Sequence, residues 1–247
     1  MRYAGYILFA VLVSAAAHSG ETLDRIVATV DRHPITRSDV EQEARFTHLT
    51  AGEAGQVTVQ DEIAALERLV DRNLIADQVA VFGVVPVTRK ELDARLLEMR
   101  KQLSGSDSET AWQRLLAKNG LTDQDVESRI DQEIQTLRFI DLRFRSEVRV
   151  GPRAIQTYYD TKFIPEMKKK NVVAPPLEQV QDQIEAVLRE ERVNALIAEW
   201  LKTLRTQSRI QTFDPSLPLA LDRKTPDVSD LHFLPLHITG PNQAASQ

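Results

Sequence analysis

The chain of 247 residues has no cysteine. That removes a cysteine nucleophile, and it removes a lipid anchor after the apolar N-terminal run; it is compatible with an oxidising compartment. Glycine is scarce at nine residues, and none builds a phosphate-cradling loop or a G-x-S-x-G turn. Positive charge is not in surplus. The formal net charge is −5, which argues against a nucleic-acid or anionic-membrane surface. No stretch reaches the ~20 consecutive apolar residues of a spanning helix. Histidine occurs five times, at His18, His33, His48, His232 and His237, without the spacing of a metal site. Carboxylate pairs such as Glu190-Glu191 lie among arginines and read as solvated helix faces, and Lys168-Lys169-Lys170 reads as a solvated helix end. No catalytic constellation, metal or cofactor is expected, and the protein is not expected to be an enzyme.

What is present begins with Arg2, followed by the apolar, small-residue run Tyr3–Ala17 that ends in Ala15-Ala16-Ala17. This reads as a secretory signal peptide, residues 1–17, cleaved after Ala17. An exported bacterial chain with no other apolar span is expected in the periplasm, without stable membrane insertion. Removal of the signal takes away one positive charge and makes the balance slightly more acidic.

The remainder is organised around Asp24–Arg45. Ile26, Ala28 and Val30 alternate with Val27 and Thr29, the period-2 pattern of a strand. Asp31–Pro34 reads as a turn, and Thr36 with Asp39 as a helix cap. A lone strand must find a partner for its backbone groups. The other good candidate is Arg209–Phe213, so everything between becomes one helical excursion closed by two strands. Helices are expected over 37–50, 59–83, from Thr88 to about Leu103, up to Asn119, from Thr122 past Phe144, over 152–168 and over 177–207. The second carries apolar residues on two sides (Ile63, Leu66, Val70, Leu74; then Ile75, Val79, Phe82), which predicts a central, enclosed helix. The last changes its apolar face at Arg189–Arg192, which predicts either a kink near Glu190 or two halves packed against different partners. Residues 214–247 hold five prolines and read as a mostly disordered tail, with Leu231–Ile238 its one sticky segment. The expected division is therefore 1–17 signal, 18–213 folded core (21–170 plus 175–213) and 214–247 tail.

Ile26–Asp39 (IVATVDRHPITRSD) resembles the opening of the SurA-type periplasmic chaperones, with Asp31 where that pattern has Asn and Pro34 before Ile35. The resemblance continues in order through Leu66–Gln78, Val87–Leu92, Arg153–Asp160 with its Tyr158-Tyr159 pair, and Pro176–Arg205, and so spans Asp24 to Phe213. It implies a mainly α, multi-helix chaperone core closed by a small two-stranded β element. It also implies, in relatives, a parvulin prolyl-isomerase domain between the Tyr-Tyr helix and the last helix. Asp160 to Pro176 is far shorter than the ~50 residues a domain needs, so the core is expected without that module.

The implied role is to hold unfolded outer-membrane proteins or other exported polypeptides. Exposed aromatics suit that task, because they bind through area and stacking rather than sequence readout. The candidate client-binding residues are Phe46, Trp112, Phe139, Tyr158 and Tyr159. Phe46 and Phe139 stand off the main stripes of their helices, which favours exposure. Phe163 and Trp200 are read as core. The rival readings are a prolyl isomerase and an interaction subunit for one folded partner.

Overall fold

The computed structural model describes residues 24–52, 56–105 and 108–219. The expected signal peptide, the start of the core at 18–23 and Leu231–Ile238 lie outside these residues. The fold is mainly α, with helices α1 (Arg37–Ala51), α2 (Val59–Phe82), α3 (Arg89–Ser104), α4 (Glu109–Asn119), α5 (Asp123–Ile140), α6 (Pro152–Tyr158), α7 (Ile164–Lys169) and α8 (Leu177–Gln207). Strands β1 (Ile26–Val30), β2 (His33–Thr36) and β3 (Ile210–Thr212) form one antiparallel sheet in the order β2-β1-β3.

The expected closure by two strands is therefore a three-stranded sheet. Asp31 adopts a left-handed φ of 52°, an orientation Asp tolerates better than most residues. This tightens the turn to Asp31-Arg32 and lets His33 and Pro34 pair with Val30 and Thr29. Pro34 is accommodated because β2 is an edge strand, where a missing N–H costs no interior ladder bond. On the other edge Ala28, Thr29 and Val30 face Thr212, Gln211 and Ile210. Asp31 secures this junction twice: its N–H donates to the Arg209 carbonyl at 2.9 Å, and its carboxylate accepts the Arg209 N–H at 2.8 Å.

Helix starts follow the caps. Thr36, Thr58, Thr88 and Thr122 each accept from the backbone N–H three residues on, and Asp39, Asp61, Glu91 and Asp125 reciprocate. Each box satisfies two otherwise orphaned donors. Gly83 closes α2 at φ 72°. The long run expected from Thr122 past Phe144 is α5 followed by a π turn, Asp141–Arg145. The helix expected over 152–168 is α6, a second π turn at Tyr159–Phe163, and α7. Pro165, early in α7, has no N–H for the carbonyl of Thr161, and the widened turn directly precedes it.

Four apolar clusters hold these elements. The sheet, α1 and the first half of α2 enclose Val27, Val30, Ile35, Val40, Leu66 and Val70, together with Leu217. Phe46 of α1 joins Leu96, Met99, Trp112, Leu116, Val126 and Ile130 from α3, α4 and α5. Ile75 and Val79 of α2 meet Phe139, Ile140 and Phe144 and the α8 residues Val193, Ile197 and Leu201. Ile155 packs on Val180 and Ile184 at the start of α8. The halves of α8 thus face different partners along one continuous helix, and Arg145 clamps its middle by donating to Glu190 at 2.9 and 2.8 Å.

Packing also runs past the expected core boundary at Phe213. Asp214 is buried and accepts from Ser216 and Arg25, and Leu217 is wholly buried in the first cluster. Pro215 and Pro218 flank a short turn that plants Leu217 against the sheet, so proline here marks a fixed turn rather than the start of a tail.

Candidate functional site

Three of the five expected client-binding aromatics are core residues. Phe46, Trp112 and Phe139 are at most 2% exposed. Phe46 leaves the stripe of α1 because that helix is packed on two sides; its ring reaches the second cluster, with the Arg129 guanidinium 5.1 Å above it. Trp112 donates from Nε1 to Asp123 at 2.7 Å, which answers its one polar atom. Phe139 stands off its stripe for the same reason as Phe46: Phe82 approaches it edge-on at 5.3 Å and Trp200 lies 5.4 Å away.

Tyr158 and Tyr159 are half-buried beside Ile155. Tyr159 stacks on Phe163 at 5.7 Å and donates its hydroxyl to the Pro175 carbonyl at 2.7 Å, tying down the connector into α8. Phe163 and Trp200, read as core, are also half-buried.

Exposed apolar side chains are spread over several elements, and four of them lie near the Phe139 cluster. Phe82 is 47% exposed, Val85 70%, Leu142 56% and Leu196 41%. Each is tied to that cluster or its helices through a neighbour. Phe82 and Trp200 touch the same ring, and Leu196 lies one turn before Trp200 on α8. Arg138 donates to the carbonyls of Val85 and Pro86 at 2.7 and 3.0 Å, and Leu142 follows Arg138 by four residues, in the π turn that continues α5. By its apolar pattern Phe82 counts with the enclosed side of α2; the cue to its exposure is its place just before Gly83, where no further turn covers it. Leu142 carried no periodic signal.

Beside this patch runs a groove between α2 and α5. Its wider part, about 320 Å³, is lined by Gln42, Asn73, Gln124, Ser128 and Gln132 among others, and its narrower part, about 110 Å³, by Ala76, Ala80, Gln132 and Thr136. Arg72 and Gln132 line both parts, so the two lie side by side along α2 and α5. The groove exists because α2 presents small side chains, Ala76 and Ala80, opposite α5.

An ionic cluster forms its floor. The carboxylate of Glu43, with no side-chain exposure, meets Arg68 at 3.1 Å, Arg72 at 2.9 Å and also Arg129. Burial, with Arg68 beside it, draws the Arg72 guanidinium down to about 9. Next to it Arg205 bridges Asp71 at 2.6 Å and Glu67 at 2.9 Å, which fastens α8 to α2. These pairs fix helices to one another, and breaking such a buried set strands charge. Among the described residues no group of three or more His, Asp or Glu is placed to hold a metal, and no helix is long and apolar enough to cross a membrane.

Comparison with known proteins adds the following. The model of the SurA-like N-terminal domain family matches residues 4–139. A solved structure from a study of two SurA-like chaperones of Campylobacter jejuni, the virulence factor PEB4 and the periplasmic protein Cj1289, superposes with a TM-score of 0.49 at 13% identity, covering 77% of this chain and 99% of the other. No curated protein matches the chain.

Proposed function

The chain belongs to the SurA-like N-terminal domain family, and on that premise we propose that it is an exported, periplasmic holding chaperone for unfolded outer-membrane proteins, acting without a catalytic step. The observation that carries this reading is the set of exposed apolar side chains Phe82, Val85, Leu142 and Leu196 near the Phe139 cluster, with Phe82 edge-on to the Phe139 ring. Such a surface serves a client that exposes apolar side chains in no fixed order.

The energetics set a scale. Fully burying a large apolar side chain is worth about 1.5–3 kcal/mol. Four side chains that are already about half covered therefore contribute roughly 4 kcal/mol before the entropic cost of association. Micromolar holding needs about 8 kcal/mol, so contacts besides these must supply the difference. A holder of this kind acts by mass action on the unfolded chain.

The reading without isomerase activity has its own support. α7 ends at Lys169 and α8 starts at Leu177, and Tyr159 pins the short connector between them. The test is to dilute a urea-unfolded outer-membrane β-barrel protein into the purified mature chain. Aggregation should slow at near-stoichiometric ratio, while prolyl isomerisation of a proline peptide stays at its uncatalysed rate. No effect on aggregation at several-fold excess contradicts the holding role; catalysed isomerisation contradicts its non-catalytic half. A pull-down returning one stoichiometric folded protein instead favours a dedicated interaction subunit.

A further inference from the structure

We propose that the groove between α2 and α5 binds the main chain of the held polypeptide in extended form, through a ladder of uncharged hydrogen-bonding side chains. The inference rests on the holding role proposed above and names the chemistry that complements the apolar patch.

Gln124, Ser128, Gln132 and Thr136 follow one another at intervals of four, so they form one row along α5. That row spans about 18 Å at 1.5 Å per residue, the length of roughly five residues of extended chain. Gln42 and Asn73 face the wider end from α1 and α2. No side-chain hydrogen bond ties any of these six to another described residue. An Asn or Gln amide offers both donors and an acceptor, and a hydroxyl offers both as well, the complement of a backbone that presents N–H and C=O alternately.

The charged groups around the groove are engaged otherwise. Asp39 and Asp125 complete the caps of α1 and α5, and Arg72 and Arg129 turn to Glu43. The uncharged side chains of the row are thus the ones left to pair with a ligand, above a floor of charges already paired with one another. Such a surface reads the peptide unit, which every client shares, and selects no charged side chain. A glycan is the other ligand of uncharged polar grooves, but the aromatic ring lining this one, Phe46, is 2% exposed and offers no stacking face. The narrow end at Val79 and Thr136 lies one turn from Phe82 and Phe139, so a segment leaving the groove there meets the apolar patch.

The test uses the mature chain and a fluorescein-labelled decapeptide with a Tyr near one end and a core of Ala, Ser and Thr, together with the same peptide N-methylated at alternate core residues. N-methylation removes main-chain donors and keeps every side chain. Anisotropy titrations should give at least tenfold weaker binding of the methylated peptide. The exposed-face variant Q124A/S128A/Q132A should bind both peptides with equal, weakened affinity. Equal binding of the two peptides by the unaltered chain overturns the inference and leaves the holding role standing, as does a variant that still discriminates between them. Failure to bind the unmethylated peptide at all overturns the inference and, if aggregation is also unaffected, the role it rests on. Binding of a soluble oligosaccharide in place of either peptide assigns the groove to glycans and overturns it equally.

Discussion

Replacing Leu217 by Ala tests how the chain closes on itself. Leu217 has no exposed surface and sits among Val27, Val30, Ile35 and Leu66, beyond the last strand. Truncating a buried leucine to alanine costs about 2–5 kcal/mol, depending on how far the cavity collapses. Here the cavity is walled by a sheet and two helices fixed by capping boxes and ion pairs, so little collapse is expected and about 3 kcal/mol is a fair value. With a urea dependence of roughly 2 kcal/mol per molar for a domain of this size, the unfolding midpoint should fall by about 1.5 M. A chain ended after Leu219 keeps these contacts and serves as the reference. A chain ended after Gln207 loses Leu217 and also strands the Val27 carbonyl and the Asp31 N–H, which bond Phe213 and Arg209. Each of those costs about 1–3 kcal/mol if left buried and unpaired, so the loss should approach the whole stability of a typical domain. Circular dichroism in urea reads all three. A shift below about 0.3 M for Leu217→Ala would refute the packing argument, since surface substitutions stay within about 0.5 kcal/mol.

Further outcomes follow from burial and charge. Phe46→Ala, Trp112→Ala and Phe139→Ala should each cost about 3–5 kcal/mol as core truncations; a change under about 0.5 kcal/mol in urea unfolding would return that ring to the surface. Glu133 is buried, which raises its carboxyl pKa above the ordinary 4.5 against the opposing pull of Arg95. A raised folded-state pKa means that its contribution to stability is full below the unfolded value and is lost as pH rises through the folded one. Glu133→Gln should therefore raise the melting temperature relative to the unaltered chain at pH 7, by an amount that shrinks towards pH 4; a gain that grows on acidification would contradict the sign.

The architecture was largely legible because its signals are local. Threonine followed three residues later by an acid marked the helix starts at Thr36, Thr88 and Thr122, and each is a completed capping box; the same box at Thr58 was not singled out. The pairing of Ile26–Val30 with the strand after α8 was legible by elimination, since a strand needs a partner. The reversal of apolar face near Glu190 left a kink or two different partners for α8, and the helix takes the second. The third strand was hidden by Pro34, whose edge position is a tertiary fact. The reach of the core to Leu217 was hidden by Pro215 and Pro218, which read as tail. The site was less legible than the fold. An aromatic off its helix stripe is exposed only if that side of the helix is free, and α1 and α5 are packed on both sides, so Phe46 and Phe139 are core. Phe82 and Leu196 are exposed although they belong to apolar sets, because one ends its helix and the other flanks the buried row Val193, Ile197 and Leu201. The groove needs two helices side by side, and no spacing within one of them announces it.

The central claim is tested most directly by light scattering of an outer-membrane β-barrel protein diluted from urea, with the mature chain compared against Val85→Ser/Leu142→Ser. Both residues are more than half exposed, so the variant should melt within a few degrees of the unaltered chain. The account predicts that the unaltered chain suppresses aggregation at near-stoichiometric ratio in low and moderate salt alike, because apolar burial is not screened, and that the variant loses most of that suppression. Equal suppression by the two proteins, or suppression that disappears on adding salt, would contradict it.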